Sequence, residues 1–300
     1  MNEPKPLIFS VVITTYNRAH LIIETLETVF LQTYPHYEIL VVDDCSSDNT
    51  ELILEQYILA KKIRYIRNEK NYERAYSRNI GLMNATGDYA TLLDSDDFLY
   101  PDCLANAYDF IIANPDIKVF QTKFELVNDC RQRIYKFPFP SLKNQYKALC
   151  SGNFMCMIGG FIHREVYQQA RFDEDPKMIL SEDYEFWFKI FAKYKVGRIN
   201  KVNTGIRAHP NRSVNVESYK RLDYQCNKMV TNIKNDPLLN EKFGKYTGRL
   251  KASFKLMDII SNSKSYTLGH KMKLLLTAVK HDLSLIQTRR FMATAFNIFR

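Results

Sequence analysis

The sequence predicts an α/β protein: a doubly wound, mostly parallel sheet followed by a helical C-terminal extension. Three observations lead there. Short apolar runs alternate with segments of helical periodicity through residue 97, the pattern of a sheet covered on both faces. Polar clusters follow those runs directly, at the strand ends where such sheets bind ligands. The charge also changes character along the chain of 300 residues and net charge +9: residues 215–300 hold 16 lysines and arginines against 6 acids, and the first 214 hold 26 against 27. A domain at 1–214 and a basic helical extension at 215–300 are the expected organisation.

Residues 7–14 (LIFSVVIT) are apolar and β-branched, as in a strand buried on both faces, and 15–18 form the turn after it. Residues 19–33 place Leu21, Ile22, Leu26, Val29 and Phe30 on helical spacing before Pro35. A second buried strand covers 38–43, a helix 49–60, a short strand 63–66 and a helix 73–85. The next strand begins at Tyr89 and stops on Asp94, Asp96 and Asp97. A helix at 101–113 with Asp102 in its first turn, a strand at 119–127 and its hairpin partner at 131–139 come next. Gly159 and Gly160 either let backbone approach a ligand or make a turn into the strand leading to Val166. Ser181, Glu182 and Asp183 open an amphipathic helix that carries Trp187, and 198–206 is a further strand.

Carboxylates as close as Asp94, Asp96 and Asp97 repel one another unless a cation or strong donors offset the charge. Hard divalent ions favour such oxygen ligands and bridge them to phosphates. The alternative is a solvated turn capping the helix after Pro101. The strand alternation favours the metal site, because it brings Thr14–Arg18, Asp43–Asp44 and Asp94–Asp97 to one edge of the sheet.

Composition narrows the setting. The N-terminus lacks the apolar core of a signal peptide, and no stretch approaches membrane-spanning length. Six cysteines without a Cys-x-x-Cys pair read as reduced thiols in the cytoplasm. From 270 to 287, Met272, Leu275, Leu276, Val279, Leu283 and Ile286 make one helical stripe flanked by Lys271, Lys273 and Lys280. A tail of Phe291, Met292, Phe296, Ile298 and Phe299 follows. Packing on the main domain is one account of this segment; peripheral contact with an anionic membrane, at the inner face of the cell membrane, is the favoured one. No nucleic-acid-binding motif is present.

Residues 10–18 (SVVITTYNR), 41–48 (VVDDCSSD), 78–81 (RNIG), 93–97 (LDSDD) and 181–183 (SED) resemble, in order and spacing, the signatures of family 2 glycosyltransferases. The resemblance covers about residues 7–213. It departs at Cys45, where that family most often has glycine. It implies the GT-A fold and inverting transfer from a nucleotide sugar, with Mn²⁺ or Mg²⁺ as cofactor.

By this resemblance Thr14, Tyr16 and Arg18 lie beside the base, and Asp44 accepts its imide N–H, which favours uracil. Asn71 and Arg78 belong to the same pocket, unless Arg78 is structural. Asp94 faces ribose and metal, and Asp96 ligates the metal; Asp97 assists them or caps the next helix. Asp183 is the general base, and Glu182 orients it or touches the acceptor. Trp187 is a sugar platform or part of the core. Arg207 and His209 match a cationic pair that approaches the diphosphate, with His209 also a candidate metal ligand.

The expected reaction moves a hexose or N-acetylhexosamine from a UDP-sugar to a glycan or glycolipid acceptor in surface-polysaccharide biosynthesis, without nucleic-acid partners. Two alternatives stand beside it. One is a catalytically degenerate nucleotide-binding scaffold, against which the retained Asp94–Asp97 cluster and Asp183 argue. The other is a dinucleotide-dependent oxidoreductase, disfavoured because residues 14–18 (TTYNR) replace a Gly-x-Gly-x-x-Gly turn after the first strand.

Overall fold

The computed structural model describes residues 6–210, 212 and 221–298. These fall into two compact units, one within Met1–Phe139 and Met155–Asn215, the other within Pro140–Phe154 and Val216–Arg300. The expected boundary at 214/215 and the tail residue Phe299 lie outside the described residues. Residues 140–154, assigned by sequence to the first domain, cluster with the C-terminal helices.

The first unit begins with four strands: β1 (Phe9–Thr15), β2 (Tyr37–Asp43), β3 (Arg64–Arg67) and β4 (Tyr89–Asp94). All three pairings among them are parallel, with β1 between β2 and β4 and β3 outside β2. The connections are α1 (Ala19–Phe30), α2 (Thr50–Leu59) and α3 (Glu73–Asn84). Then come β5 (Phe98–Leu99), α4 (Cys103–Ala113), β6 (Val119–Val127) and β7 (Arg133–Lys136). Helix α5 (Gln145–Cys150) belongs to the second unit; β8 (Gly160–His163), α6 (Arg164–Tyr167), α7 (Glu182–Lys193) and β9 (Val196–Arg207) complete the first.

The sheet runs β3-β2-β1-β4-β8-β6-β9-β5, with β7 paired to β6. Strand β8 is antiparallel to both neighbours, while β9 returns parallel to β6. The sheet is therefore parallel where the apolar runs are continuous and mixed where they alternate. The fold is GT-A, with helices at the C-terminus.

Val11, Val12 and Ile13 of β1 are fully buried, as a strand covered on both faces requires. Phe161 meets Phe9 edge to face, with ring centroids 5.6 Å apart, and stacks on Phe120 at 5.0 Å. Such aromatic pairs add about 0.5–1.5 kcal/mol each beyond area burial. Trp187 is wholly buried, so it belongs to the core and is no sugar platform. Gly159 adopts φ +68, and a Cβ there would sit 2.5 Å from Thr122 Oγ1; Gly160 packs on Trp187. These glycines serve internal packing.

The second unit holds α8 (Leu222–Asn235), α9 (Pro237–Phe243), α10 (Thr247–Ser261), α11 (Leu268–His281) and α12 (Arg289–Ile298). Its core includes Ala252, Leu256, Leu274, Leu275, Ala278, Leu285 and Ile298. The expected single stripe over 270–287 is broken at Asp282, whose carboxylate accepts the Ser284 N–H at 2.9 Å and pairs with Arg249 at 2.7 Å. An Asp that bonds forward to the backbone offers it an alternative to the helix, and a 3-10 turn over Leu283–Gln287 follows. Leu275 points inward, whereas Leu276 is 58% and Leu283 71% exposed.

Candidate active site

The C-terminal ends of β1, β2 and β4 meet because their registers place Thr15 beside Asp43 and Thr14 beside Asp94. A cavity of about 300 Å³ opens there, and Thr14, Tyr16, Arg18, Asp44, Asn71 and Arg78 line one part of it. Asp94, Asp96, Asp97, Glu182 and Asp183 line the rest. Residues as far apart in the chain as Thr14 and Arg212 thus share one space. Arg207 and His209 do not line it.

The two adjacent acids after β2 divide their work. Asp43 is fully buried and accepts from the Ser46 N–H and the Tyr65 hydroxyl at 2.8 and 2.6 Å. Asp44 turns into the cavity, where its Oδ1 accepts from Asn68 Nδ2 at 2.8 Å and the Tyr72 N–H at 3.0 Å. Its orientation is thereby fixed. Tyr16 remains 42% exposed at the rim.

Backbone strain gathers around this cavity. Asn17, Cys45, Glu73 and Leu180 have φ of 51, 65, 73 and 74°, although none is glycine. Each such residue costs of order 1–3 kcal/mol and persists where surrounding structure over-determines it. Asn17 Oδ1 accepts from the Ser47 N–H at 2.8 Å, which pins the turn after β1 to the one after β2. Cys45 occupies a conformation that favours glycine, which gives the departure noted above a physical meaning.

Arg78 is the buried hub of the acidic side. Its Nη2 meets Asp94 Oδ1 and its Nη1 meets Glu182 Oε1, each at 3.0 Å. Burial opposes the guanidinium charge, but Asp94 and Glu182 outweigh it and raise its pKa. Burial likewise pushes the Asp94 carboxyl up, and Arg78, aided by Arg74 and Arg212, overcomes that and holds it below the usual range. Glu182 Oε2 is buried without a hydrogen-bond partner among the described residues.

Asp96 and Asp97 differ sharply. Asp96 Oδ2 lies 2.9 Å from His209 Nε2 and 3.6 Å from Arg18 Nε. Asp97 is buried, its Oδ1 accepts the Arg207 N–H at 3.0 Å, and its main-chain oxygen accepts from Thr25. It therefore ties the end of β4 to β9 and caps no helix. Asp102 does not cap α4 either; its carboxylate accepts from Thr33 Oγ1 at 3.0 Å. Burial, then the charges of Asp96 and Asp94, push the Asp97 carboxyl well above its ordinary value. Asp94 and Asp96 place two carboxylates on the cavity lining, the hard oxygen donors a divalent cation takes. Among the described residues no three His, Cys, Asp or Glu side chains form a metal site by themselves. Two carboxylates with phosphate oxygens completing the shell is the ordinary demand of Mg²⁺.

Asp183 lies in the first turn of α7, where its Oδ1 accepts the Tyr184 N–H at 2.6 Å. Burial, then the Glu182 charge, push its carboxyl up to about 7, against the pull of Arg78 and Arg74. Ser181 precedes it without a side-chain cap. Arg207 goes elsewhere: its Nη2 pairs with Glu24 Oε2 at 2.6 Å, outside the cavity. Arg74, Arg212 and Leu180 line the cavity unanticipated. Arg74 could have been found as the residue one helical turn before Arg78; Arg212 carries no such spacing signal.

A mostly parallel sheet with acids at its strand ends and a raised carboxyl across the cavity defines a GT-A-type site. The chain belongs to glycosyl transferase family 2, whose sequence model matches residues 10–171. It is 39% identical over 194 residues to the putative teichuronic acid biosynthesis glycosyltransferase TuaG of Bacillus subtilis, covering 64% of this chain and 75% of that protein. It is 29% identical over 242 residues to an uncharacterized glycosyltransferase of Rickettsia felis, covering 79% of this chain and 39% of that protein. The chain thus spans about two fifths of that relative's length. The structure of S. aureus TarS 1-349 in complex with UDP-GlcNAc superposes with a TM-score of 0.70 at 20% identity, covering 96% of this chain and 84% of that 1-349 chain. This likeness is one of fold. Family membership removes the oxidoreductase alternative.

Proposed function

We propose that the chain is an inverting glycosyltransferase that moves a hexose or N-acetylhexosamine from a UDP-sugar to a hydroxyl of a surface-glycan acceptor. One observation carries the proposal: the Asp183 carboxyl, pushed up to about 7, faces a cavity it shares with Asp44, Asp94 and Asp96. A general base is most effective with a pKa near the working pH.

In this scheme Asp44 accepts the imide N–H of uracil, while Thr14, Tyr16, Arg18 and Asn71 flank the base. Arg78 holds Asp94 toward the ribose and Glu182 beside the base catalyst. Asp183 takes the proton from the acceptor hydroxyl as its oxygen bonds to the anomeric carbon, and the bond from that carbon to the diphosphate breaks on the opposite side. UDP leaves with the bonding electrons. Asp94 and Asp96, with His209 alongside, would hold Mn²⁺ or Mg²⁺, which when bound supplies Lewis-acid neutralisation of the departing diphosphate. Arg74 and Arg212, which line the cavity, add positive charge to the same end.

The C-terminal unit is proposed to rest on the anionic inner face of the cell membrane. Lys273, Leu276 and Lys280 are exposed at helical spacing on α11, and Arg289, Met292 and Phe296 on α12. No helix among the described residues is long and apolar enough to cross a membrane. All six cysteines are free thiols, as suits a cytoplasmic setting.

Calorimetric titration with UDP-, GDP- and CDP-sugars in the presence of Mn²⁺ tests the donor. Binding of UDP-sugars in preference to the others, lost in Asp44→Ala, is expected. Equal binding of all three, or preference for GDP-sugars, would overturn the donor assignment.

A further inference from the structure

Asn68 follows β3 directly and does not line the catalytic cavity, yet its side chain is bonded to two residues that do. Its Nδ2 donates to Asp44 Oδ1 at 2.8 Å and to Ser77 Oγ of α3 at 3.0 Å. Both amide hydrogens are therefore used. The backbone holds the residue as well, since the Asn68 N–H donates to the Asp43 carbonyl at 2.8 Å. Asn68 and Ser77 are both buried, and the amide has one workable orientation: turned over, it would set its oxygen against the Asp44 carboxylate.

The consequence lies in which oxygen of Asp44 stays open. A carboxylate oxygen accepts about two hydrogen bonds, and the Tyr72 N–H at 3.0 Å takes the second place on Oδ1. Oδ2 has no hydrogen bond among the described residues. Asp44 thus shows the cavity one free acceptor oxygen, where an unbonded carboxylate would show two. Nucleobases differ in what they require there. Uracil offers one N–H between two carbonyls, so a second acceptor beside the first would face a carbonyl oxygen. Guanine offers two adjacent donors, its ring N–H and its amino group, and fits a carboxylate with both oxygens open.

We infer that Asn68 is a positioning residue for base selection: by occupying Asp44 Oδ1, it makes the site accept a uracil nucleotide and reject a guanine one. This role rests on the proposed contact between Asp44 and the base. Asn68 itself touches no substrate and acts through Asp44 alone. The Tyr72 N–H, being main chain, survives substitution of Asn68. Removing the amide opens one lone pair on Oδ1 and leaves the carboxylate free to turn about its Cβ–Cγ bond. The uracil contact then loses its aim, and guanine gains a second acceptor.

The test titrates the full chain with UDP and with GDP in the presence of Mn²⁺, comparing native, Asn68→Ala, Asn68→Ser, Asp44→Ala and the double variant Asn68→Ala/Asp44→Ala. Asn68→Ser retains a polar group and is the milder of the two Asn68 changes. In both, the ratio of UDP to GDP affinity should fall about tenfold, on the scale of one hydrogen bond to a charged group. A packing defect lowers both affinities together and leaves the ratio alone. In the Asp44→Ala background, Asn68→Ala should change the ratio no further, because Asn68 acts only through that carboxylate. A ratio unchanged in both Asn68 variants, or a fall of the same size in the absence of Asp44, overturns the role of Asn68. A native chain that binds GDP as well as UDP overturns the contact between Asp44 and the base, and this role with it. Binding is read without transfer, so a chain that selects UDP through Asn68 but moves no sugar upholds the role and removes the glycosyltransferase proposal.

Discussion

Arg78 and Glu182 form a buried ion pair, 3.0 Å from Nη1 to Oε1, with side chains 5% and 4% exposed. The same guanidinium holds Asp94. The carboxylate assigned to the donor and the one next to the assigned base are therefore positioned by a single side chain, 104 residues before Glu182.

Removing Arg78 leaves Glu182 buried with only Arg74, 3.9 Å away, to offset its charge. Arg78→Gln should destabilise the fold by about 3–5 kcal/mol, the usual cost of breaking a buried pair. Arg78→Lys should recover only part of this, because one ammonium cannot reproduce two guanidinium contacts. Urea melts of Arg78→Gln, Glu182→Gln and the double variant check it: the double variant should be more stable than the sum of the singles implies.

Asp183 links pH to both stability and turnover. Its folded pKa, about 7, lies above the ordinary 3.8, so the folded state retains a proton that the unfolded chain releases. Stability from this group is full below about pH 4 and is lost as pH rises toward 7. Asp183→Asn should accordingly raise the unfolding free energy at pH 8 by about 1–3 kcal/mol. Turnover behaves oppositely, since the base must be ionised: kcat/KM should rise with pH through an apparent pKa near 7. Denaturant melts and rate profiles between pH 5 and 9 read the two effects.

The neighbouring acids should separate in function. Asp96→Asn removes a proposed metal ligand and should lower transfer about 10²-fold or more. It should also weaken UDP binding in Mn²⁺ while leaving binding in EDTA unchanged. Asp97→Asn keeps an acceptor for the Arg207 N–H and relieves crowding with Asp94 and Asp96, so its effect on transfer should be within about fivefold. Comparable losses in both variants would contradict the division of roles.

Cys45 should be improvable. At φ +65, Cys45→Gly should change stability by less than about 1 kcal/mol or raise it, whereas Cys45→Val should lower it by about 1–3 kcal/mol. Thermal melts of the two variants check the sign.

The first half of the sheet was legible because β1, β2 and β4 are apolar throughout and end on polar residues, so pattern and topology agree. The acids at those ends were legible for the same reason. Trp187 was ambiguous, since helical spacing cannot tell a core face from a platform; burial decides it. The long stripe over 270–287 misled because Leu283 and Ile286 continue the periodicity while Asp282, capping the turn after it, interrupts the backbone. Arg207 was misplaced because its partner, Glu24, lies 183 residues away and nothing in the sequence pairs them. The hub role of Arg78 needed the positions of three chain segments at once.

The most direct measurement of the central proposal is UDP release from a UDP-sugar with a glycan acceptor, compared between the native chain and Asp183→Asn, with UDP affinity measured on both. Asp183→Asn should bind UDP with unchanged affinity and turn over about 10²–10⁴-fold more slowly, the usual worth of a general base. Turnover retained in Asp183→Asn, or lost together with UDP binding, would contradict the assignment of Asp183 as the base.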